Sequence, residues 1–288
     1  MKMGRHAELL LQAVGEPAAD SNNPLLSDFD WAGHGVSHPY IIFMTGRCGS
    51  TLLTSILQET GLVGNPREFF NEQVARYESD GAQGLHGYLS TLTQKETSCG
   101  RFGIEIDSTR LRDIEGLIDW SSVFPSPSTR TLFLYRSSLP AQAWSWVSAR
   151  KSGLWHARAH GKHSGPSVSE ALPTEHELVQ EIIRIRRDEE YLQRFFGRYG
   201  YQPYYIDYES LLTDIDTETR TILRILSVDC DNISNEQITA DNKAVAKIRY
   251  VEKNRALAEF NSKHANALSV LRKNRFHISV GELADLFA

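Results

Sequence analysis

The chain is short of several things, and each shortage excludes something. It has only three cysteines in 288 residues, Cys48, Cys99 and Cys230, far apart and with no CxxC spacing. That rules against a disulfide framework or a cysteine zinc site and suits a reducing compartment. No run approaches the roughly 20 apolar residues that span a bilayer, so no transmembrane segment is expected. The start, MKMGRHAELLLQAVGEPAAD, has a short apolar part broken by Glu8 and makes a poor signal peptide. The cytoplasm is the expected location. There is no basic surplus: 31 Lys and Arg stand against 36 Asp and Glu, a net charge of −5. Bulk electrostatic binding to nucleic acid is therefore not expected, although a local basic pocket remains open. There is also no internal repeat and no low-complexity tract.

What is present is a globular chain, 41% hydrophobic and 23% charged, able to bury a sizeable core. Strand and helix patterns alternate along it. Tyr40-Ile-Ile-Phe-Met44, Arg101–Ile106, Thr131–Tyr135 and Pro203–Asp207 read as short buried strands. Helical spacing covers Thr51–Thr60, Ala141–Ala149, Glu175–Phe196, Glu218–Leu226 and 243–271. Pro140 is placed in a first helical turn. The stretch 161–173, rich in Gly, Ser, His and Pro, reads as a loop. The alternation implies βαβ units, hence an α/β fold with a P-loop-like parallel sheet flanked by helices. Residues 1–39 are expected to form an N-terminal extension and 40–288 the main domain.

The sharpest local feature is the strand, turn and helix from Tyr40 to Leu57. A helix N-terminus carries unpaired N–H groups and the positive end of the helix dipole. After a Gly-containing turn it becomes an anion site. Gly46 and Gly49 let the backbone approach a phosphate, Ser50 and Thr51 add hydroxyls, and Arg47 adds a charged planar fork. This is not a Walker A loop, because Gly49 precedes Ser50 and no Lys stands in the loop. An ATP-using enzyme needs that Lys, and a hydroxyl for Mg²⁺. A metal-free donor needs neither.

Tyr40–Leu53 followed by Thr60-Gly-Leu-Val-Gly-Asn-Pro-Arg-Glu-Phe-Phe70 closely resembles the bacterial trehalose 2-sulfotransferase family. That family opens with a strand, an RSGST-L-L loop and a TG…EFF stretch. Cys48 stands here for the usual Ser. Arg136-Ser-Ser-Leu-Pro-Ala-Gln-Ala-Trp-Ser-Trp146 looks like the family's R-x-D-x-x-x-QA-x-S segment, with Ser138 in place of its Asp. Pro203–Leu211 looks like its later strand and YE-x-L stretch. The resemblance runs from about Tyr40 to Leu211.

It implies a sulfotransferase that takes a sulfuryl group from PAPS and releases PAP, without a metal. The loop residues Arg47, Cys48, Gly49, Ser50, Thr51 and Leu52 would hold the 5′-phosphosulfate. Arg136 and Ser145 would hold the 3′-phosphate. Glu68 matches the family's proposed catalytic base, and Arg47 would stabilise the leaving oxygens. The family also carries a Lys near the place where this chain has Glu105, a reversal of charge. The implied acceptor is a carbohydrate or glycolipid-like hydroxyl, of which trehalose is one option. Dimers are known in the family, so a homodimer is one open state. Two other readings are a P-loop-type nucleotide-dependent kinase and a non-catalytic nucleotide-binding module.

Three further groups have plainer readings. Trp144, Trp146 and Trp155 could form a ring platform, but Trp at helical spacing is more often core. His156, His160 and His163 fit a solvated loop rather than a metal site. Arg184–Arg187 with Glu189 and Glu190 reads as a charged helix face with i,i+4 pairs.

Overall fold

The computed structural model describes residues 24–70, 74–153, 172–230 and 251–288, with the side chains of 74–83 and 251–252 left aside. Four strands form one sheet: β1 (His38–Met44), β2 (Arg101–Asp107), β3 (Arg130–Tyr135) and β4 (Tyr204–Asp207). Their order is β2-β1-β3-β4, and every pairing is parallel. Parallel strands are covered on both faces, which is why the middles of β1, β2 and β3 are buried continuously rather than alternately, while the edge strand β4 is only partly buried. In β1 every residue after His38 is buried.

The pairing register sorts the side chains by face. Tyr40, Ile42 and Met44 lie beside Gly103, Glu105 and Asp107 on one side, and beside Leu132 and Leu134 of β3. On the other side Phe43 and Phe133 meet the ring of Phe196, at 5.0 and 5.8 Å between centroids. Phe195 stands edge-on to Trp120 at 5.1 Å. Among all these apolar positions Glu105 is the exception, a carboxyl only 5% exposed in mid-strand.

The helices are α1 (Ser50–Thr60), α2 (Val74–Glu96), α3 (Ser108–Ile114), α4 (Trp120–Val123) and α5 (Leu139–Ser152). They continue with α6 (Glu175–Tyr199), α7 (Tyr208–Thr213) and α8 (Ile215–Ile225). The last three are α9 (Val251–Lys263), α10 (Ala265–Asn274) and α11 (Val280–Phe287). Each expected strand is present. The expected helix over 243–271 is divided by His264 into α9 and α10, and 243–250 lie outside the described residues. Trp155, the three loop histidines and most of the 161–173 loop also lie outside them.

Contacts divide the described residues into two compact units. One holds the sheet, with residues 24–70, 74–135 and 192–230. The other is helical, with 136–153, 172–191 and 251–288. In the sheet unit the described residues before β1, 24–37, are fastened to the segment after β2. Leu26 N–H donates to Leu117 O at 3.0 Å, Asp119 N–H to Leu26 O at 2.8 Å, and the Trp31 indole to Val123 O at 2.5 Å. In the helical unit Leu139, Ala143, Trp144, Ile182, Leu271 and Leu283 share a core.

The charged stretch of α6 differs from its expected role as a plain surface face. Arg186 is 1% exposed and Glu189 is 0% exposed. Glu189 accepts from both Arg186 and Arg275, and Arg275 also donates to the carbonyl of Arg136. The i,i+4 pair Arg184–Asp188 does form, at 2.8 Å. Helical spacing gives the pairs, but helices outside this stretch bury them, and no local pattern encodes that.

Candidate active site

The turn after β1 begins at Thr45, which is 1% exposed, and turns through two residues of left-handed backbone. These are Arg47, at φ 65°, and Gly49, at φ 102°. Gly49 is the N-cap of α1, and no side chain caps the helix. Leu52 N–H is bonded back to Gly49 O at 3.0 Å. The helix start thus presents the N–H groups of Ser50 and Thr51 without a side-chain cap, the arrangement that binds anions.

The loop residues divide by what they offer. Arg47 and Ser50 are half-buried and Thr51 is exposed. Cys48 is fully buried and Leu52 nearly so. Those two anchor the turn in the core. Gly49 is required sterically as well as conformationally: a Cβ there would lie 2.1 Å from Cδ2 of Tyr208, a ring that is itself 7% exposed. Tyr208 opens α7 directly after the Asp207 cap, and its ring packs against the loop from beneath.

The chain returns from α1 to the edge of β2, and a set of backbone and side-chain contacts holds the return. Tyr40 OH donates to Val63 O at 2.9 Å, Asn65 N–H to Glu96 O at 3.0 Å, and Gln58 Nε2 to Pro66 O at 3.1 Å. Arg67 forms a parallel bridge with Ile104, and Glu105 N–H donates to Arg67 O at 3.0 Å. Tyr88 OH donates to Phe69 O at 2.6 Å. Glu68, half-buried, sits between these last contacts. Phe69 stacks on Phe102 at 6.0 Å and Phe70 is buried.

Beside Glu68, on β2, is Glu105. Burial first, and then the negative charge of Glu68, push its carboxyl up to about 8; a hydrogen bond from Ser50 works the other way. Glu105 is thus mostly uncharged at neutral pH. The reversal of charge noted in the sequence is largely cancelled by burial. The structure therefore brings together Ser50 of the loop, Glu105 and Glu68. Arg136 and Ser145 belong to the helical unit, where both are half-buried. Arg136 follows the last residue of β3, and Ser145 lies in mid-α5.

The sequence matches the family described as Stf0 sulphotransferase over residues 39–98 and 116–255. The chain belongs to the Stf0 sulphotransferase family. No curated protein matches it. Among solved structures it is similar to the sulfotransferase domain from the Synechococcus PCC 7002 olefin synthase, at 15% identity and TM-score 0.39, covering 86% of this chain and 98% of that one. It is also similar to the sulfotransferase domain from the curacin biosynthetic pathway, at 14% identity and TM-score 0.42, covering 88% and 97%.

In this sulphotransferase the matched residues include the loop, Glu68, Arg136 and Ser145. Glu105 falls in the unmatched stretch 99–115. Sequence reasoning misses the supporting residues Tyr88 and Gln58, and it misses what Tyr208 does. Tyr208 lies in a quoted motif, yet nothing in the chain pairs position 208 with position 49. Trp144 proves to be core at 3% exposure, and Trp146 carries the Arg184 guanidinium over its ring at 4.4 Å. Among the described residues no cluster could hold a metal ion, and no helix is long and apolar enough to cross a membrane.

Proposed function

We propose that this sulphotransferase uses PAPS as donor, in the cytoplasm, and passes the sulfuryl group to a hydroxyl of a carbohydrate or glycolipid-like acceptor. The observation that supports the donor most is the start of α1 without a side-chain cap, with Arg47 in the turn before it and no Lys before Ser50. An anion suits that donor set, and the buried carboxyl beside it is largely neutral near pH 7. The motif assigns Arg136 and Ser145 to the 3′-phosphate.

PAPS supplies an activated sulfuryl group whose leaving oxygen belongs to a phosphate. Glu68 is the residue proposed to accept the proton of the attacking hydroxyl as general base, a role that requires hydrogen-bond reach of that hydroxyl. Arg47 and the loop N–H groups face the charge that develops on the leaving phosphate. Phe69 and Phe70 follow Glu68 in the chain, and apolar neighbours of this kind raise the proton affinity of a carboxylate they desolvate. The acceptor class comes from the family alone.

A thermal-shift series tests the donor. PAP alone should raise the melting temperature, as a ligand of the folded state must. A shift with ATP–Mg²⁺ and none with PAP overturns the reading in favour of a kinase. Labelled PAPS screened against sugars, glycolipids and small alcohols tests the acceptor. Transfer confined to non-carbohydrate alcohols overturns that half.

A further inference from the structure

Among the described residues, Glu105 is the buried carboxyl of the sheet that the proposed reaction does not use. It is 5% exposed, in the middle of β2, opposite Ile42 of β1. Its backbone N–H holds Arg67 O at 3.0 Å, one residue before Glu68. Its carboxyl group accepts the hydroxyl of Ser50, the first residue of α1. Its Oε1 has no hydrogen-bond partner among the described residues. The titratable and polar groups acting on it are Glu68 on the returning segment, Asp107 on its own strand, Ser50 on α1 and Tyr40 on β1. The two charged ones are both negative. Burying an ionised carboxylate among them would be costly, since none of these groups is a cation that could compensate it.

We propose that Glu105 is a positioning residue of the donor loop: from its buried place on β2 it holds the Ser50 hydroxyl and backs Glu68, and a negative charge at this point weakens the loop's grip on an anion. The inference rests on the donor reading above. Its physical content is a charge switch inside the site. While protonated, the carboxyl orients Ser50 toward the turn and leaves the field of the α1 N-terminus intact. Once ionised, it sets a second carboxylate beside the donor's own charges. Burial places that change at about 8, within reach of ordinary buffers.

The experiment compares PAP binding by calorimetry to the wild-type protein and to Glu105→Gln, at about pH 7 and about pH 9, where the phosphates of PAP are ionised throughout. Gln keeps the shape and a group that can hold Ser50 but cannot ionise. The wild type should lose about tenfold more affinity than Glu105→Gln between the two conditions, a one-unit change in differential interaction. Parallel losses in the two proteins overturn the role of Glu105 and leave the donor reading standing. No binding of PAP to the wild type at about pH 7 overturns both. Should Glu105→Gln fail to fold, the wild type carries the test alone. Its infrared band for a buried protonated carboxyl should vanish with the same midpoint as the fall in PAP affinity, and separate midpoints overturn the proposal.

Discussion

At the scale of single residues, the site separates charge from conformation. Arg47 combines a guanidinium with a left-handed backbone, φ 65°, that favours glycine. Arg47→Gly should therefore leave stability unchanged or raised by up to about 1 kcal/mol, while PAP binding and sulfuryl transfer are lost. Calorimetry beside chemical denaturation checks both halves, and full donor affinity in that variant would remove Arg47 from the site. Glu68 gives the complementary case. Glu68→Gln should still bind PAP but transfer roughly 10²–10⁴-fold more slowly, the usual contribution of a general base. A fully active variant would place the base elsewhere. Both residues stand in motifs that the sequence displays in order.

At the scale of elements, glycines and caps decide where chains turn. Gly49→Ala should cost about 2 kcal/mol or more, because the left-handed φ is strained for Ala and the Tyr208 ring blocks the Cβ. Gly87 in α2 is the opposite case: exposed, in ordinary helical backbone, with open space where the methyl of an alanine would stand. Gly87→Ala should stabilise by about 0.5–1 kcal/mol, read by urea titration. The glycines at 81, 84 and 87 are also why α2 escapes a reading of periodicity, since glycine is taken there as punctuation. The short helices escape it for another reason. Asp107, Asp119 and Asp207 each cap a helix start, and Ser279 with Glu282 forms a capping box before α11. Those signals are local and present in the sequence. They open helices too short for a clear hydrophobic stripe.

At the scale of the whole molecule, the buried carboxyl of Glu105 links pH to stability. Its value rises on folding from 4.5 to about 8, so the folded state binds more protons than the unfolded state between those points. The contribution is fully present below about pH 4.5, declines as pH rises, and is gone above about pH 8. The change is on the order of a few kcal/mol. Denaturation of the wild type at about pH 6 and about pH 9 should show this loss, and Glu105→Gln should show much less of it. Equal pH dependence in both would mean that Glu105 is ionised in the folded protein. The buried Arg186–Glu189–Arg275 group follows the same rule of whole-molecule origin. Its members carry charge in an interior that only the assembled helical unit creates.

The chain alone determined the four strands, the glycine turn that opens α1, the absence of a Walker lysine and the family, because these depend on residues close together or on a motif read in order. Tertiary structure alone decided that Tyr208 braces Gly49, that the α6 charges are interior, and that Glu105 stands beside Ser50 and Glu68. The reason is physical. Hydrophobic period, capping and turn chemistry act over a few residues, whereas the energy of a carboxyl depends on what surrounds it in space. A glutamate written in the sequence is a negative charge; the same glutamate buried on β2 beside a helix start is pushed up to about 8 and is mostly protonated near pH 7.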